Sequence, residues 1–191
     1  MLIPLKTLMN QDMTATDEVI SSFICPADPD IESFLKTRAI KFENASKSRT
    51  YLLFDKEAVH TGKLRLLAYF TIALHILIVP EGFSGNRVKK LDGFSSTLRG
   101  KRISEFPCYI IGQLGKNAAY PTDSITGDII MEYALGVIGQ TSELVGGRIV
   151  LIECRHIDYL VNFYRRNGFN DYDNEPDLDG NSMIQMIRLI Y

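Results

Sequence analysis

The stretch GGRIVLIECRHIDYLVNFYRRNGF, from Gly146 to Phe169, decides how the rest of the sequence is interpreted. Two glycines mark a turn, and the apolar run after them predicts a buried strand from Ile149 to Glu153. Apolar residues at helical spacing then predict a helix over residues 157–167, which ends before a left-handed Gly168. The predicted apolar stripe of that helix consists of Ile157, Leu160, Val161 and Tyr164. The stretch therefore predicts a compact strand, helix and strand unit.

Composition bounds the class of protein. The chain has 191 residues, of which 46% are hydrophobic and 23% charged, and this is typical of one globular domain, residues 1–191. No apolar run approaches the length of about 20 residues that spans a bilayer, and Met1–Asn10 lacks the features of a signal peptide. We therefore expect a cytoplasmic protein with no membrane partner. A formal net charge of −2 gives no global attraction to nucleic acid.

The three cysteines, Cys25, Cys108 and Cys154, are far apart in the sequence. They form no C-x-x-C pair, and no histidine stands at ligand spacing from them. We therefore expect partly buried thiols, and neither a disulfide framework nor a metal site. The histidines, which share no spacing that suggests a triad, are expected on the surface or in loops. They are His60, His75 and His156.

Apolar patterns and end signals divide the remaining chain into further elements. Asp28 is a candidate cap for a helix over residues 28–43, with Pro29 at its first position. The predicted strands are Val19–Ile24, Arg49–Phe54, Leu64–Ala73, Cys108–Gly115 and Met183–Ile190. The predicted long helix starts near Thr126 and buries Ile130, Tyr133, Ala134, Val137 and Ile138. Gly136 and Gly139 inside that helix indicate either an early end or close packing.

Two segments have a distinctive charge. Residues 75–107 are expected to be a surface insertion, in which six lysines and arginines face three acidic residues. That segment is either a basic arm beside the active site or a solvated insertion, and the weak excess of charge favours the second interpretation. An acidic segment before the last strand contains Asp171, Asp173, Glu175, Asp177 and Asp179 and does not fit an EF-hand.

The order of elements, with LVNFYRRNGF near its end, resembles the GNAT superfamily of acyl-CoA-dependent N-acyltransferases. Phe163, Tyr164, Gly168 and Phe169 match the F-Y-x-x-x-G-F pattern of its last helix, and the resemblance covers residues 19–191. IGQLGKN resembles the central strand of the family. FLKTRAIKFENASKSRTYLLFD and AYFTIA resemble the branch that contains the tRNA-acetylating toxins. The resemblance implies an α/β fold with a mixed, mostly antiparallel sheet of about six to seven strands, about four flanking helices, and central strands that splay apart.

The resemblance also implies a site for acetyl-CoA and needs no metal. The backbone of Leu114–Lys116 would bind the pantetheine arm, and the N-terminus of the long helix would hold the pyrophosphate. The family's loop there reads Q/R-x-x-G-x-G/A, whereas residues 122–127 keep only the last glycine and add Asp123. The implied coenzyme-binding residues are Leu114, Gly115, Lys116, Ser124, Thr126, Gly127, Phe163 and Tyr164.

Tyr164 matches the general acid of the family. A phenol with a pKa of about 10 is neutral at pH 7 and can donate a proton to a departing thiolate. Backbone N–H groups near Gly115 would stabilise the oxyanion. Glu153 is the candidate base, with a salt bridge to Arg155 or His156 as the structural alternative and water as the alternative base.

Three functional hypotheses follow. The first is an N-acetyltransferase that transfers an acetyl group to a primary amine of a small molecule or a protein, by direct attack in a ternary complex. The acidic segment favours a cationic acceptor. The second is a toxin-like enzyme that acetylates aminoacyl-tRNA, and the third is a non-catalytic domain that binds acyl-CoA or a partner. The apolar last strand suggests a homodimer formed through a sheet edge.

Overall fold

The computed structural model of the protein describes residues 1–121, 124–176 and 182–190. Seven strands form one sheet in the order β1-β2-β3-β6-β7-β9-β8, and β4 pairs with β5 in a second, two-stranded sheet. The strands are β1 Leu2–Pro4, β2 Arg49–Phe54, β3 Leu66–Ile78, β4 Thr97–Leu98, β5 Lys101–Arg102, β6 Glu105–Lys116, β7 Ile149–Arg155, β8 Asn170–Pro176 and β9 Ser182–Leu189. The helices are α1 Leu5–Gln11, α2 Met13–Ser21, α3 Pro29–Thr37, α4 Ala39–Asn44, α5 Lys56–His60, α6 Gly85–Asp92, α7 Gly127–Val145 and α8 Asp158–Arg166.

The seven-stranded sheet is antiparallel apart from the pair of β6 and β7. In that parallel pair the register matches Tyr109 with Val150 and Ile110 with Leu151. Beyond this register β6 continues to Lys116 and β7 to Arg155. The predicted α/β fold, with a mixed, mostly antiparallel sheet, is therefore confirmed. The described residues contain eight helices rather than about four.

The chain divides into two compact units. The first comprises Met1–Ala73 and Ile111–Gln140, and the second comprises Leu74–Ile110 and Thr141–Tyr191. In the first unit, helices α1–α4 pack against β2 and β3. The core there includes Leu5, Val19, Ile20, Phe23, Leu35, Leu52, Phe54 and Tyr69. In the second unit, α6 buries Val88 and Leu91 in a core with Cys108, Leu151 and Tyr172.

The predicted strand Val19–Ile24 is wrong, because its first half belongs to helix α2 and its second half is not a strand. The side chain of Asp12 caps this helix by accepting a hydrogen bond from the N–H of Ala15 at 3.0 Å. The residues that the helix buries are Thr16, Val19 and Ile20. This spacing of three and four residues is helical, which explains why the segment shows no strand-like alternation.

The predicted helix over residues 28–43 is two helices, α3 and α4, with Arg38 between them. The Asp28 cap is confirmed, since its side chain accepts a hydrogen bond from the N–H of Asp30 at 3.1 Å. Strand β2 has the predicted bounds, whereas β3 runs on to Ile78. Four residues of the expected insertion, 75–78, therefore belong to β3, and α6, β4 and β5 follow.

The last strand, β9, lies between β7 and β8. Both of its edges are paired, so this strand has no free edge for the homodimer contact that its apolar sequence suggested, and dimerisation itself stays a prediction. The acidic segment provides the outer strand instead, since Asp171, Asp173 and Glu175 lie on β8. Asp177 and Asp179 are outside the described residues.

Helix α7 runs through Gly136 and Gly139 to Val145. A Cβ atom at either glycine would meet nothing within 4 Å, so neither an early end nor close packing explains them. Tyr133, predicted to be buried, is 40% exposed, and Met131 is buried instead. Across the part of the chain that the structure describes, no helix is long and apolar enough to cross a membrane.

Candidate active site

Leu114, Gly115 and Lys116, the residues expected to bind pantetheine, form the end of β6 in the first unit. Gly115 is buried, and its neighbours on either side are half-buried. A Cβ atom at Gly115 would lie 2.3 Å from Cγ2 of Ile31 and 3.3 Å from Cζ of Phe23. The close approach that the glycine allows is therefore to side chains of the chain's own core. This packing fixes the backbone of β6 at the expected coenzyme position.

Asn117, which the sequence reasoning missed, anchors the end of β6. Its side chain is completely buried. Its Oδ1 accepts hydrogen bonds from the N–H groups of Ile24 at 3.1 Å and Ala119 at 3.0 Å. Its Nδ2 donates to the carbonyl of Leu66 at 2.8 Å. Asn117 thus ties β6 to the start of β3 and to the loop after α2. The only signal in the sequence was an asparagine placed directly after an apolar strand.

The N-terminus of α7, the expected pyrophosphate site, also lies in the first unit. Helix α7 begins at Gly127, and the hydroxyl of Thr126 accepts a hydrogen bond from the N–H of Ile129 at 3.3 Å. Thr126 is therefore the cap of the helix. The backbone N–H of Ser124 donates to the carbonyl of Pro121 at 3.1 Å, and its side chain is exposed. Thr122 and Asp123 of the altered loop lie outside the described residues.

Tyr164, the expected general acid, lies in the last turn of α8 in the second unit. Its half-buried ring makes edge contacts with the rings of Phe163 at 5.0 Å and Phe169 at 5.9 Å between centroids. The other two rings are 7% and 2% exposed. Helix α8 buries Val161 and Phe163, whereas the predicted stripe member Ile157 is 43% exposed at the cap position.

The spacing of the F-Y-x-x-x-G-F pattern has a local explanation. Gly168 has a φ of 83°, its N–H donates to the carbonyl of Arg165, and the N–H of Phe169 donates to the carbonyl of Tyr164. These two bonds form a Schellman motif, in which an apolar contact commonly joins the residue after the glycine to the last helical turn. The contact between Phe169 and Tyr164 fills that role. The motif therefore determines the position of the tyrosine ring.

Glu153, the candidate base, is an exposed residue near the end of β7 in the second unit. It faces Gln185 in the register of β7 and β9, and its Oε1 accepts a hydrogen bond from Nε2 of Gln185 at 2.9 Å. This partner was not among the predicted alternatives, Arg155 and His156. The bond orients the carboxylate and engages one of its two oxygens.

A cleft of about 570 Å³ lies in the second unit, between α6 and strands β8 and β9. Arg87 and Lys90 line one side of it and Asp171 and Tyr172 the other. The guanidinium of Arg87 stacks 3.5 Å from the ring centroid of Phe83 and donates to the carbonyl of Tyr172 at 3.0 Å. None of the predicted coenzyme or catalytic residues lines this cleft.

All three cysteines are buried, free thiols. Burial raises the pKa of Cys108 to about 12, and the nearby Glu153 carboxylate adds to this shift. Burial likewise raises the pKa of Cys154 to about 11 and that of Cys25 above its ordinary value. Such thiols are protonated at neutral pH and therefore poor nucleophiles. Among the described residues, no group of three or more His, Cys, Asp or Glu side chains is placed to hold a metal ion.

Comparison with known proteins gives similarity in structure alone. No family model and no curated protein matches the chain. A crystal structure of a bacterial toxin is similar at a TM-score of 0.63, with 20% identity over 88% of this chain and 81% of that one. A Tyr-to-Phe mutant of KacT is similar at 0.63, with 20% identity and coverage of 89% and 88%. AtaTR bound with AcCoA is similar at 0.60, with 17% identity and coverage of 86% and 84%.

These similarities show the fold. The chain has the GNAT fold that its motifs predicted, and one of the proteins that share it is a bacterial toxin. At identities of 20% or less, the roles of individual residues are not transferred by the comparison.

Proposed function

We propose that the chain is an N-acetyltransferase that transfers the acetyl group of acetyl-CoA to a primary amine. The observation that carries this proposal is the similarity to AtaTR bound with AcCoA, which extends over 86% of this chain. The Schellman motif that positions Tyr164 supports it, because a general acid must be held in one orientation to act on a leaving group.

The coenzyme would be bound by groups of the first unit. The backbone of Leu114–Lys116, held by the packing of Gly115 and the bonds of Asn117, would bind the pantetheine amides. The N-terminus of α7 would bind the pyrophosphate, since a helix of 19 residues presents N–H groups and a positive dipole end there. Thr126 already caps the N–H of Ile129, so the anion would be held by other N–H groups of the first turn, beginning at Gly127.

The reaction joins the amine nitrogen to the thioester carbonyl carbon. The negative charge on the carbonyl oxygen would be stabilised by backbone N–H groups near Gly115. When the carbon–sulfur bond breaks, the Tyr164 hydroxyl would protonate the departing thiolate. The proton lost by the amine would go to Glu153 or to water, and the products are an N-acetyl amide and free CoA.

Calorimetric titration with acetyl-CoA, with plain CoA as the control, tests the first requirement. We expect micromolar binding of both. An acetylation screen with spermidine, a lysine-containing peptide and aminoacyl-tRNA then tests turnover. Binding without turnover of any amine would indicate a non-catalytic acyl-CoA-binding domain, and no binding at millimolar coenzyme would contradict the proposal altogether.

Replacing Tyr164 by phenylalanine tests the general acid. We expect kcat to fall by about 10²-fold or more, the usual contribution of acid–base catalysis. The melting temperature should stay the same, because the ring contacts with Phe163 and Phe169 are retained. Tyr159→Phe is the matched control, since Tyr159 lies on the same helix and is 68% exposed. Equal kcat values for the two variants would show that Tyr164 is not the general acid.

A toxin-like acetyltransferase of aminoacyl-tRNA is a second candidate. It is favoured by the similarity to a bacterial toxin at a TM-score of 0.63 and by a set of exposed cations between β3 and β6. The exposed cations are Arg87, Lys89, Lys90, Arg99, Lys101 and Arg102. Cations of this kind bind phosphates, and the affinity falls as salt is raised. We expect growth arrest on expression, abolished by Tyr164→Phe; harmless expression would argue against this candidate.

A further inference from the structure

Gln113 lies on β6 directly before the residues proposed to bind pantetheine, and its side chain amide is incompletely satisfied. The Oε1 atom is buried and has no hydrogen-bond partner among the described residues. Leaving a buried acceptor without a partner costs about 1–3 kcal/mol. Groups of this kind are uncommon in folded proteins and call for a specific explanation.

Two hydroxyl oxygens, Ser48 Oγ and Thr50 Oγ1, are also buried without a hydrogen-bond partner in the described part of the chain. Their residues, however, are 8% and 0% exposed, so no ligand reaches them. Gln113 as a whole is half-buried, which means that part of its side chain meets solvent. The terminal torsion of the side chain is broad and soft, so rotation about it is the route by which a ligand at the exposed part of Gln113 would reach Oε1.

The position of Gln113 narrows the class of ligand. It stands three residues beyond Ile110, the last β6 residue in the register with β7, and belongs to the same unit as Leu114–Lys116. A ligand group that satisfies an amide oxygen must donate a hydrogen bond. The acetyl group and the thioester sulfur carry no such donor. Each pantetheine amide carries one N–H and a primary amine carries two or three, and the Kd for acetyl-CoA and the KM for the amine separate these two ligands.

We propose that Gln113 binds the acceptor amine, with Oε1 accepting a hydrogen bond from the attacking nitrogen. This proposal rests on the proposed acetyltransferase function and deepens it by naming a residue for the acceptor. A neutral oxygen suits the task, because the amine must lose its proton before it attacks. A carboxylate at the same position would hold the amine as an ammonium ion.

Gln113→Met separates this role from a structural one. Methionine keeps the length of the side chain and removes the unsatisfied oxygen, so we expect the melting temperature to stay the same or rise. The Kd for acetyl-CoA should be unchanged. The KM for the amine with the highest kcat/KM in the screen should rise roughly tenfold, the loss of one hydrogen bond. Gln140→Met is the matched control, since Gln140 is an exposed residue of α7 and should change none of these quantities.

Gln113→Glu tests the role of charge. The carboxylate still accepts a hydrogen bond, so the KM for the amine should stay at or below that of the unsubstituted protein. The pH at which kcat reaches half its maximum should move upward, because the ammonium form is stabilised. This variant shows which group of Gln113 binds the amine. Glutamate keeps an acceptor oxygen and removes the donor N–H, so a retained KM indicates the oxygen.

An unchanged amine KM in Gln113→Met, with acetyl-CoA binding and turnover retained, would overturn the role of Gln113 and leave the proposed function standing. A lower melting temperature together with an unchanged KM would identify a structural residue and also overturn it. Absence of acetyl-CoA binding in the unsubstituted protein, or of turnover with every amine of the screen, would overturn both proposals.

Discussion

At the scale of single residues, the end of β6 is defined by groups that the chain itself supplies. Gly115 accommodates Ile31 and Phe23, and Asn117 satisfies main-chain groups of three different segments. Neither residue needs a ligand to explain its conformation. Their effect on function is indirect, because they fix the geometry of the backbone that is proposed to bind the coenzyme.

Asn117→Ala should destabilise the protein by about 2–4 kcal/mol. The substitution leaves the carbonyl of Leu66 buried without its partner, at a cost of about 1–3 kcal/mol, and the part-buried N–H of Ile24 also loses its bond. Chemical denaturation measures the change in the free energy of unfolding. Asn86→Ala, at an exposed position of α6, is the control and should change it by less than about 0.5 kcal/mol. Similar values for the two variants would show that Asn117 is not an anchor.

At the scale of elements, the helix α8 and its turn form a unit whose sequence pattern and geometry agree. Asp158 lies in the first turn, and Arg165 and Arg166 lie in the last, as the helix dipole favours. Arg165 also forms an ion pair with Asp171 of β8 at 2.6 Å. Both partners are about half exposed, so the pair contributes little to stability. The Schellman turn is the stronger determinant of the position of Tyr164.

Gly168→Ala should lower the free energy of unfolding by about 1–2 kcal/mol, because the φ of 83° is unfavourable for a residue with a Cβ atom. It should also lower kcat under the proposed function, since the turn positions the Tyr164 ring. Thermal unfolding and the acetylation assay measure the two effects. Gly82→Ala is the control, because a Cβ atom there meets nothing within 4 Å and no positive φ is required. A melting temperature equal to that of the control would contradict the assignment of the turn.

The glycines of α7 allow the opposite prediction. Gly136→Ala and Gly139→Ala should each stabilise the protein, by up to about 1 kcal/mol, because alanine is the better helix former and its Cβ atom meets nothing at either position. The two effects should add in the double variant. Differential scanning calorimetry would register them as a higher melting temperature. A lower one would mean that these positions contact a partner in solution.

At the scale of the whole molecule, each compact unit has its own core, and the buried thiols belong to these cores. Cys25 packs in the core of the first unit, and Cys108 in that of the second. Burial in an apolar surrounding explains both their raised pKa values and the absence of a catalytic role for them.

This arrangement predicts loss of stability at alkaline pH. Folding raises the pKa of Cys154 to about 11 and of Cys108 to about 12, so between pH 9 and these values the folded state binds more protons than the unfolded state. The part of the free energy of unfolding that comes from these raised pKa values is complete below about pH 8.5. It is lost as the pH rises through the folded pKa values, at about 1.4 kcal/mol per pH unit for each thiol. Burial also raises the pKa of Tyr69, which acts in the same direction above about pH 10.

Urea denaturation at intervals from pH 7 to 10.5 measures this dependence. The double variant Cys108→Ala and Cys154→Ala is less stable at pH 7, because it loses buried side-chain atoms. Its stability should nevertheless fall less steeply with pH than that of the unsubstituted protein. Parallel pH profiles for the two proteins would show that these thiols are not responsible for the alkaline loss.

The predictions from sequence succeeded where a short segment contains its own determinants. Strand β2, the cap at Asp28 and the turn at Gly168 depend on residues within a few positions of each other. The prediction failed at Val19–Ile24, where a short apolar run fits either a strand or one face of a helix. The cap at Asp12 and burial against the first-unit core selected the helix.

The sequence by itself determined the order of elements from β6 to β9, the position of Tyr164 in the last turn of α8, and the strand that contains the proposed pantetheine residues. Tertiary structure alone decided that β9 is an inner strand, that Gly115 is filled by Ile31, and that Asn117 bonds residues 51 and 93 positions away. Tertiary structure likewise decided that the side-chain oxygen of Gln113 is buried without a hydrogen-bond partner among the described residues. The physical reason is that burial and hydrogen-bond satisfaction depend on neighbours in space, whereas turns, caps and periodicity depend on neighbours in sequence.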